Sequence, residues 1–237
     1  MHIFYLPSAA SAGPVILSEE ESKHSIRVLR LEAGSEVLVT NGKGQFFKAQ
    51  LLDAHPKRAV LQLEAPYQAQ DESVCQLHLA VAPTKNMDRI EWMVEKAVEI
   101  GVNALHFFTS YHSERRQLNF ERLEKIAIAA MKQSQKSRLP ALLPLEPLEA
   151  MLERPFDGDK YIAWIDESTP KHLGHCYRPM QNCWVLIGPE GDFSRQEVTK
   201  AQVAGFLPVS LGSSRLRTET AAIVALHTLQ LLNQLHP

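Results

Sequence analysis

Two short segments late in the chain hold residue types that can do chemistry. The first is Gly188-Pro189-Glu190-Gly191-Asp192-Phe193, directly after the apolar run 183–187. Its glycines let the backbone approach a ligand closely or adopt positive φ. Glu190 and Asp192 add two carboxylates at what would be a strand end. A tight strand-to-helix turn accounts for the Gly-Pro pair alone; the carboxylates favour a site. The second segment is 211–220 (LGSSRLRTET), with one glycine, two serines and two arginines ahead of a helix expected to be capped by Thr218. Donors at a helix start plus two guanidiniums suit an anion or a polar base edge. A capped helix with solvated arginines has the same residues.

Templates for other chemistries are missing from the sequence. No G-x-G-x-x-G follows a strand-like run, and neither a phosphate-binding G-x-x-x-x-G-K-[ST] loop nor a G-x-S-x-G elbow occurs. The ten histidines show no ligand spacing, and His106 and His112 are expected to serve the core or the surface. Cys75, Cys176 and Cys183 are too sparse for a disulfide framework or a zinc site. No metal is expected.

Between Glu114 and Arg138 lie seven cations against three anions. At about 100° per residue on a helix, Arg122, Lys125, Lys132 and Lys136 fall within a stripe roughly 80° wide. Such a stripe is commonly a solvated face. This one lacks neighbouring acids in the sequence to neutralise it, which favours a polyanion partner. Arg27 and Arg30, one turn apart with Lys23 nearby, form a second basic patch.

The elements that must position these residues form two patterns. Up to about residue 70 the signals are mostly β. Strands are expected at 36–40, 45–52 and 59–63, the first two joined by Asn41-Gly42-Lys43-Gly44, a hairpin signal. Ser18 and Glu21 have the spacing of a capping box before a short helix ending near Arg30. The polar stretch 67–73 (YQAQDES) is the best boundary. Beyond it strands (76–81, 104–108, 161–165, 183–187, 208–211) alternate with helices (87–100, 119–136, one opened by the capping box Ser194/Glu197, and one after Thr218). That alternation predicts an α/β domain with a largely parallel sheet, whose ligands bind at the carboxyl ends of strands. The last helix is apolar almost all round and must be buried against the sheet or a partner subunit.

The chain has 237 residues, 45% hydrophobic and 22% charged, with net charge −2. A disordered chain and a global polycation are excluded, whereas a local basic site is not. The N-terminus lacks the pattern of a signal peptide, and the longest charge-sparse stretch, 220–235, is too short and polar to span a bilayer. A soluble, cytoplasmic protein is expected.

The run WVLIGPEGDFS at 184–194 and the run LGSSRLRTETAAIVAL at 211–226 resemble, as a pair and in this order, the two signature segments of the RsmE family. HSIRVLR at 24–30, PTKNMDRIEWMVEKAVEIGV at 83–102 and AAMKQSQKSRLP at 129–140 support the resemblance, which covers nearly the whole chain. Asp192 stands where many members have a second glycine, and the basic segment is shorter than in some relatives.

The resemblance implies methylation of N3 of a uridine in 16S ribosomal RNA, on the small ribosomal subunit or free RNA. It implies a PUA-like RNA-binding β domain over 1–70 and a SPOUT methyltransferase domain with a C-terminal trefoil knot over 71–237, an exception to the rule against knots. It further implies a homodimer and S-adenosyl-L-methionine as cofactor, cradled by backbone around Leu186, Ile187, Gly188, Gly191, Leu211, Gly212, Leu216 and Arg217. In this reading Arg217 stabilises the uracil carbonyl oxygens, and either Glu190 or Glu219 accepts the N3 proton. Arg27, Arg30, Arg122, Lys125, Lys132 and Lys136 are the RNA-contact candidates. A SPOUT enzyme for another RNA nucleotide, or a non-catalytic RNA-binding assembly factor, are the competing readings.

Overall fold

Inward–outward alternation over 47–52 puts Phe47, Ala49 and Leu51 in a core and Lys48 and Gln50 in solvent. A computed structural model describes residues 1–68, 75–165 and 171–236, which divide into two compact units. The first comprises Met1–Glu72 and Ile128–Leu139. The seam expected at 70/71, and most of the stretch 67–73, lie outside the described residues.

In the first unit the described strands are β1 (Ile3–Tyr5), β2 (Gly13–Ile16), β3 (Glu36–Thr40), β4 (Gln45–Asp53), β5 (Val60–Leu63) and β6 (Tyr67–Gln68). They order as β1-β3-β4-β5-β2, with β6 added on β4. Antiparallel pairing of β3 and β4 brings Thr40 opposite Phe46. Asn41 Oδ1 accepts the Lys43 N–H at 2.8 Å and closes the turn. Gly42 is required there: φ is 72°, and a Cβ would lie 2.8 Å from the Tyr5 ring. Between β2 and β3, α1 (Glu19–Lys23) passes into a π-helical turn, His24–Val28. Ser18 caps α1 by accepting from the Glu21 N–H at 3.2 Å. The Glu21 carboxylate does not complete the expected capping box; it pairs with Lys132 Nζ at 2.6 Å. The segment Ile128–Leu139 is bound to this unit, with Ser137 O accepting from Thr40 Oγ1 at 3.0 Å.

The second unit is an α/β sheet, as the alternation predicts. Its chain runs through β7 (Leu77–Val81), α2 (Met87–Ile100), β8 (Ala104–Thr109), α3 (Phe120–Gln133), β9 (Ala141–Pro147), α4 (Leu148–Leu152), β10 (Asp159–Ala163), α5 (Leu173–Cys176), β11 (Cys183–Ile187), α6 (Arg195–Val203), β12 (Leu207–Val209) and α7 (Thr218–Leu235). The second half of α3 belongs to the first unit. The described strands order as β12-β10-β11-β7-β8-β9, and every pairing is parallel. β9 has no sequence expectation because Pro144 and Pro147 interrupt it; at the sheet edge missing donors are tolerated.

β11 is buried along its whole length, the mark of a central parallel strand covered on both faces. Trp184 (1% exposed) packs with Phe206 and His106. His106 meets His78 at 3.2 Å, and burial pushes its pKa down to about 3, so it is a neutral core residue. α6 carries the complete Ser194/Glu197 capping box.

α7 buries Ala222, Ala225, Leu226 and Leu229 against α2, β7, β11 and α5. Leu231 and Leu235 remain 41% and 62% exposed. Thr218 is not its cap. It is the first helical residue, after Arg217 at the N-cap, and its hydroxyl donates to Gly188 O at 3.0 Å. That bond ties the two chemistry-bearing segments together.

Candidate active site

In a parallel sheet the strand-to-helix loops gather at the carboxyl edge. Here β10, β11 and β12 are adjacent, so their three ends share one rim. A cavity of about 680 Å³ opens there, within the range of about 300–1,000 Å³ usual for small-ligand sites. Of the cofactor candidates, Ile187, Gly188, Leu211, Gly212, Leu216 and Arg217 line it. Leu186 lies one residue deeper, fully buried in β11. Gly191 lies outside the lining, and a Cβ there would be 2.8 Å from His112 Cβ. Its lack of a side chain makes room for His112.

The catalytic candidates separate. Glu190 and Arg217 are exposed and line the cavity. Glu219 does neither; it is 7% exposed, its Oε1 faces Arg89 Nε at 3.6 Å, and its Oε2 is buried with no hydrogen-bond partner among the described residues. Glu190 Oε1 accepts the Lys85 backbone N–H at 3.2 Å. The loop holding Lys85 is itself clamped by Arg115, whose guanidinium donates to Thr84 O at 3.0 Å and to Lys85 O. A salt bridge from Lys85 Nζ to Glu114 at 3.1 Å adds to this.

Sequence reasoning missed the third wall. Ala163, Trp164 and Ile165 at the end of β10, and Val209 and Ser210 at the end of β12, complete the cavity. The carboxyl-end rule was the available signal, but it needs the strand order. Asp192 also lines the cavity and bridges two walls. Its Oδ1 accepts the Phe193 N–H at 2.7 Å and its Oδ2 the Ile165 N–H at 3.4 Å. Burial pushes its carboxyl above the usual range, against the pull of those N–H groups and of Arg215. Its φ is 60°, the left-handed region where glycine is freest. That conformation accounts for glycine as the alternative at this position.

The basic candidates lie elsewhere. Arg27 and Arg30 are exposed in the first unit. Acids partner three residues of the stripe: Glu91 and Glu21 are brought by the fold, and Glu121 lies on α3 itself. Arg122 makes a two-bond contact with Glu91 of α2, which holds the guanidinium charge in place. Lys125 pairs with Glu121 at 2.8 Å and Lys132 with Glu21 at 2.6 Å. Lys136 does not share the stripe, because α3 ends at Gln133 and not at 136 as expected; it is half-buried and has no ion pair among the described residues. The stripe is therefore more nearly neutral than its composition suggests. Exposed pairs are weak, however, and yield readily to a phosphate. No cluster of three or more metal-ligating side chains occurs among the described residues.

A parallel α/β sheet with a cavity at its strand ends is the architecture of a small-ligand-binding α/β enzyme. The RNA methyltransferase domain family matches residues 71–230, and the RNA methyltransferase PUA domain family matches residues 17–64. The ribosomal RNA small subunit methyltransferase E of Buchnera aphidicola is 30% identical over 221 residues, covering 90% of this chain and 86% of that protein. A probable rRNA-methyltransferase from Porphyromonas gingivalis superposes with a TM-score of 0.93 at 40% identity, covering 100% of both chains. The ribosomal RNA small subunit methyltransferase E of Neisseria gonorrhoeae, solved bound to S-adenosyl methionine, superposes with a TM-score of 0.86 at 30% identity, covering 98% of each chain. The chain belongs to the ribosomal RNA small subunit methyltransferase E family, RsmE, as the two signature segments suggested.

Proposed function

We propose that the chain methylates N3 of a uridine in 16S ribosomal RNA within the small ribosomal subunit, in the cytoplasm, with S-adenosyl-L-methionine as methyl donor. The observation that carries the reading is one cavity with Glu190 and Arg217 both in its lining. Family membership and the cofactor-bound relative support the donor. The cavity suits it as well. Ala163, Ile187, Leu211 and Leu216 offer apolar surface for a purine, while Ser213, Ser214 and Arg215 offer polar contacts. At Gly212, φ is 121° and the Cβ direction is open for 4 Å, so a ligand can lie against bare backbone. When bound, the cofactor supplies an electrophilic methyl group.

The residues of this chain have to bring uracil in, orient it and manage one proton. N3 of uracil is protonated at neutral pH, so a base must take that proton. Glu190 is favoured over Glu219, because it is exposed in the cavity and held through one oxygen by the Lys85 N–H. Glu219 is buried, paired with Arg89 and outside the lining. Arg115 is a positioning residue that holds the loop on which Glu190 leans. As the N3 proton leaves, negative charge spreads over the flanking carbonyl oxygens. Arg217 offers paired donors to those oxygens.

In this scheme residues 1–70 bind RNA and residues 71–237 carry out catalysis, with the family's trefoil knot formed by the chain that links β11 to α7. Incubation with labelled cofactor and either small subunits or naked 16S RNA, followed by nucleoside analysis, tests it. Label in 3-methyluridine is expected, and label in another nucleoside, or none, would overturn it.

The enzyme should be a homodimer. Ile223, Val224 and Leu232 on α7 are only partly covered, and Leu231 and Leu235 are exposed, a face that one subunit leaves unfinished. Sedimentation at micromolar concentration should give twice the chain mass, whereas a monomer there would remove the dimer from the scheme.

The basic residues Arg27, Arg30, Arg122, Lys125, Lys132 and Lys136 should contact RNA phosphates. Reversing Lys125 and Lys136 together should weaken RNA binding and lower the salt slope by about one for each phosphate that is no longer neutralised. Cofactor affinity should not change. Unaltered RNA affinity would mean that the stripe is only a solvated face.

A further inference from the structure

The turn Ser110–Ser113 after β8 is held more firmly than an exposed turn requires. Ser113, 7% exposed, accepts the Ser110 N–H through its hydroxyl at 2.9 Å, and its own N–H donates to Ser110 O at 3.1 Å. The Tyr111 N–H donates to Glu197 Oε1 at 2.7 Å. Glu197 is 6% exposed, and its other oxygen accepts from Ser194 N and Oγ, both at 2.8 Å. His112 Nδ1–H donates to Asp192 O at 3.0 Å, and the His112 side chain packs over Gly191. Yet the side chain all this displays, Tyr111, is 79% exposed. Among the described residues its ring meets that of His112 at 4.9 Å, nearly perpendicular.

A large aromatic ring left in water, on backbone pinned by a buried carboxylate, is pre-organised for a ligand with a flat face. Through His112 the turn is bonded to Asp192, a residue of the cavity lining, so Tyr111 is one residue from a direct contact with that lining. In the same loop Arg116 is exposed and has no ion pair among the described residues. An aromatic platform with an uncommitted cation nearby is the pattern that binds single-stranded RNA, through base stacking and phosphate contact.

We infer that Tyr111 is a stacking platform for the unpaired base flanking the uridine that enters the cavity. The inference rests on the RNA-methylation reading and adds a contact to it. Stacking tolerates any base, so Tyr111 contributes affinity and registers the strand without reading sequence.

The test uses the full-length enzyme with bound cofactor and short single-stranded RNA carrying one uridine, with either intact or abasic neighbours. Tyr111→Ala should weaken binding of the intact RNA about 10-fold. Tyr111→Phe, which keeps the ring, should bind within about twofold of wild type. Wild-type enzyme should lose about the same 10-fold on abasic RNA, and Tyr111→Ala should lose nothing more there. Cofactor affinity, measured by calorimetry, should be equal in all three proteins. An equal loss for Tyr111→Ala on intact and abasic RNA would assign the residue to loop structure and overturn the platform. Unchanged RNA binding with a shifted sedimentation coefficient would overturn it in favour of a contact between subunits. Failure of the underlying reading has a different signature, because wild-type enzyme would then transfer no label to RNA.

Discussion

Arg217→Ala should lower the single-turnover methylation rate about 10²-fold at saturating cofactor and RNA, with little change in RNA affinity. Arg217 is at the N-cap of α7 but makes no side-chain cap bond there. Its guanidinium is exposed in the cavity, so truncation removes charge and donors without unpicking the helix. Lysine should recover only part of the rate, since it restores charge without the planar pair of donors. Glu190→Gln should fall comparably, because the amide keeps the shape and loses the basicity. Glu219→Gln should instead act mainly on stability, since it weakens the pair that the buried Glu219 makes with the half-buried Arg89. A near wild-type rate for Arg217→Ala under saturating conditions would end its catalytic assignment. A loss of cofactor affinity instead would make it a loop brace.

Gly212→Val should reduce cofactor affinity about 10²-fold or more while leaving RNA binding measurable. The backbone at Gly212 has φ of 121°, where a β-branched residue is strained by roughly 1–3 kcal/mol. Ser210 Oγ accepts the Gly212 N–H at 3.0 Å, so the loop is held in this shape and cannot relax freely. The new side chain would also project into space open to the ligand. Gly188→Val should act in the same direction for a different reason. A Cβ at Gly188 would sit 3.1 Å from the ring of Phe193, which is 5% exposed and stacks on Phe108. Cofactor loss there should therefore come with a lower melting temperature. Isothermal calorimetry with each purified variant measures the first effect and thermal unfolding the second. Normal cofactor affinity in both variants would move the binding site elsewhere.

Much of this protein is decided within a few residues of chain. The apolar run Cys183–Ile187 is a buried strand, and Ser194 with Glu197 closes a capping box four residues long. Asn41-Gly42 turns a hairpin, and Gly101 ends α2 with φ of 112°. Periodicity, capping and turn chemistry are short-range, so most of the longer elements and the α/β class were legible in the sequence, while β1, β2, β9, α4 and α5 were not. The two segments that line the cavity were legible too, because their glycines, carboxylates and arginines are consecutive. The tertiary structure alone decided which of those residues meet. Glu190 leans on the Lys85 N–H 105 residues away, and Arg122 finds Glu91 31 residues back. Thr218 leaves its expected capping role to hold Gly188 across 30 residues, and Asp192 reaches Ile165 across 27. These pairings follow from the strand order β12-β10-β11-β7, which puts three loop ends on one rim. No local rule contains that order, since parallel neighbours are joined through crossovers and chosen by burial of whole faces. The same reason separates Glu190 from Glu219: both are acids beside a glycine-containing loop, and only packing sends one into the cavity and the other, in the first turn of α7, toward Arg89 of α2.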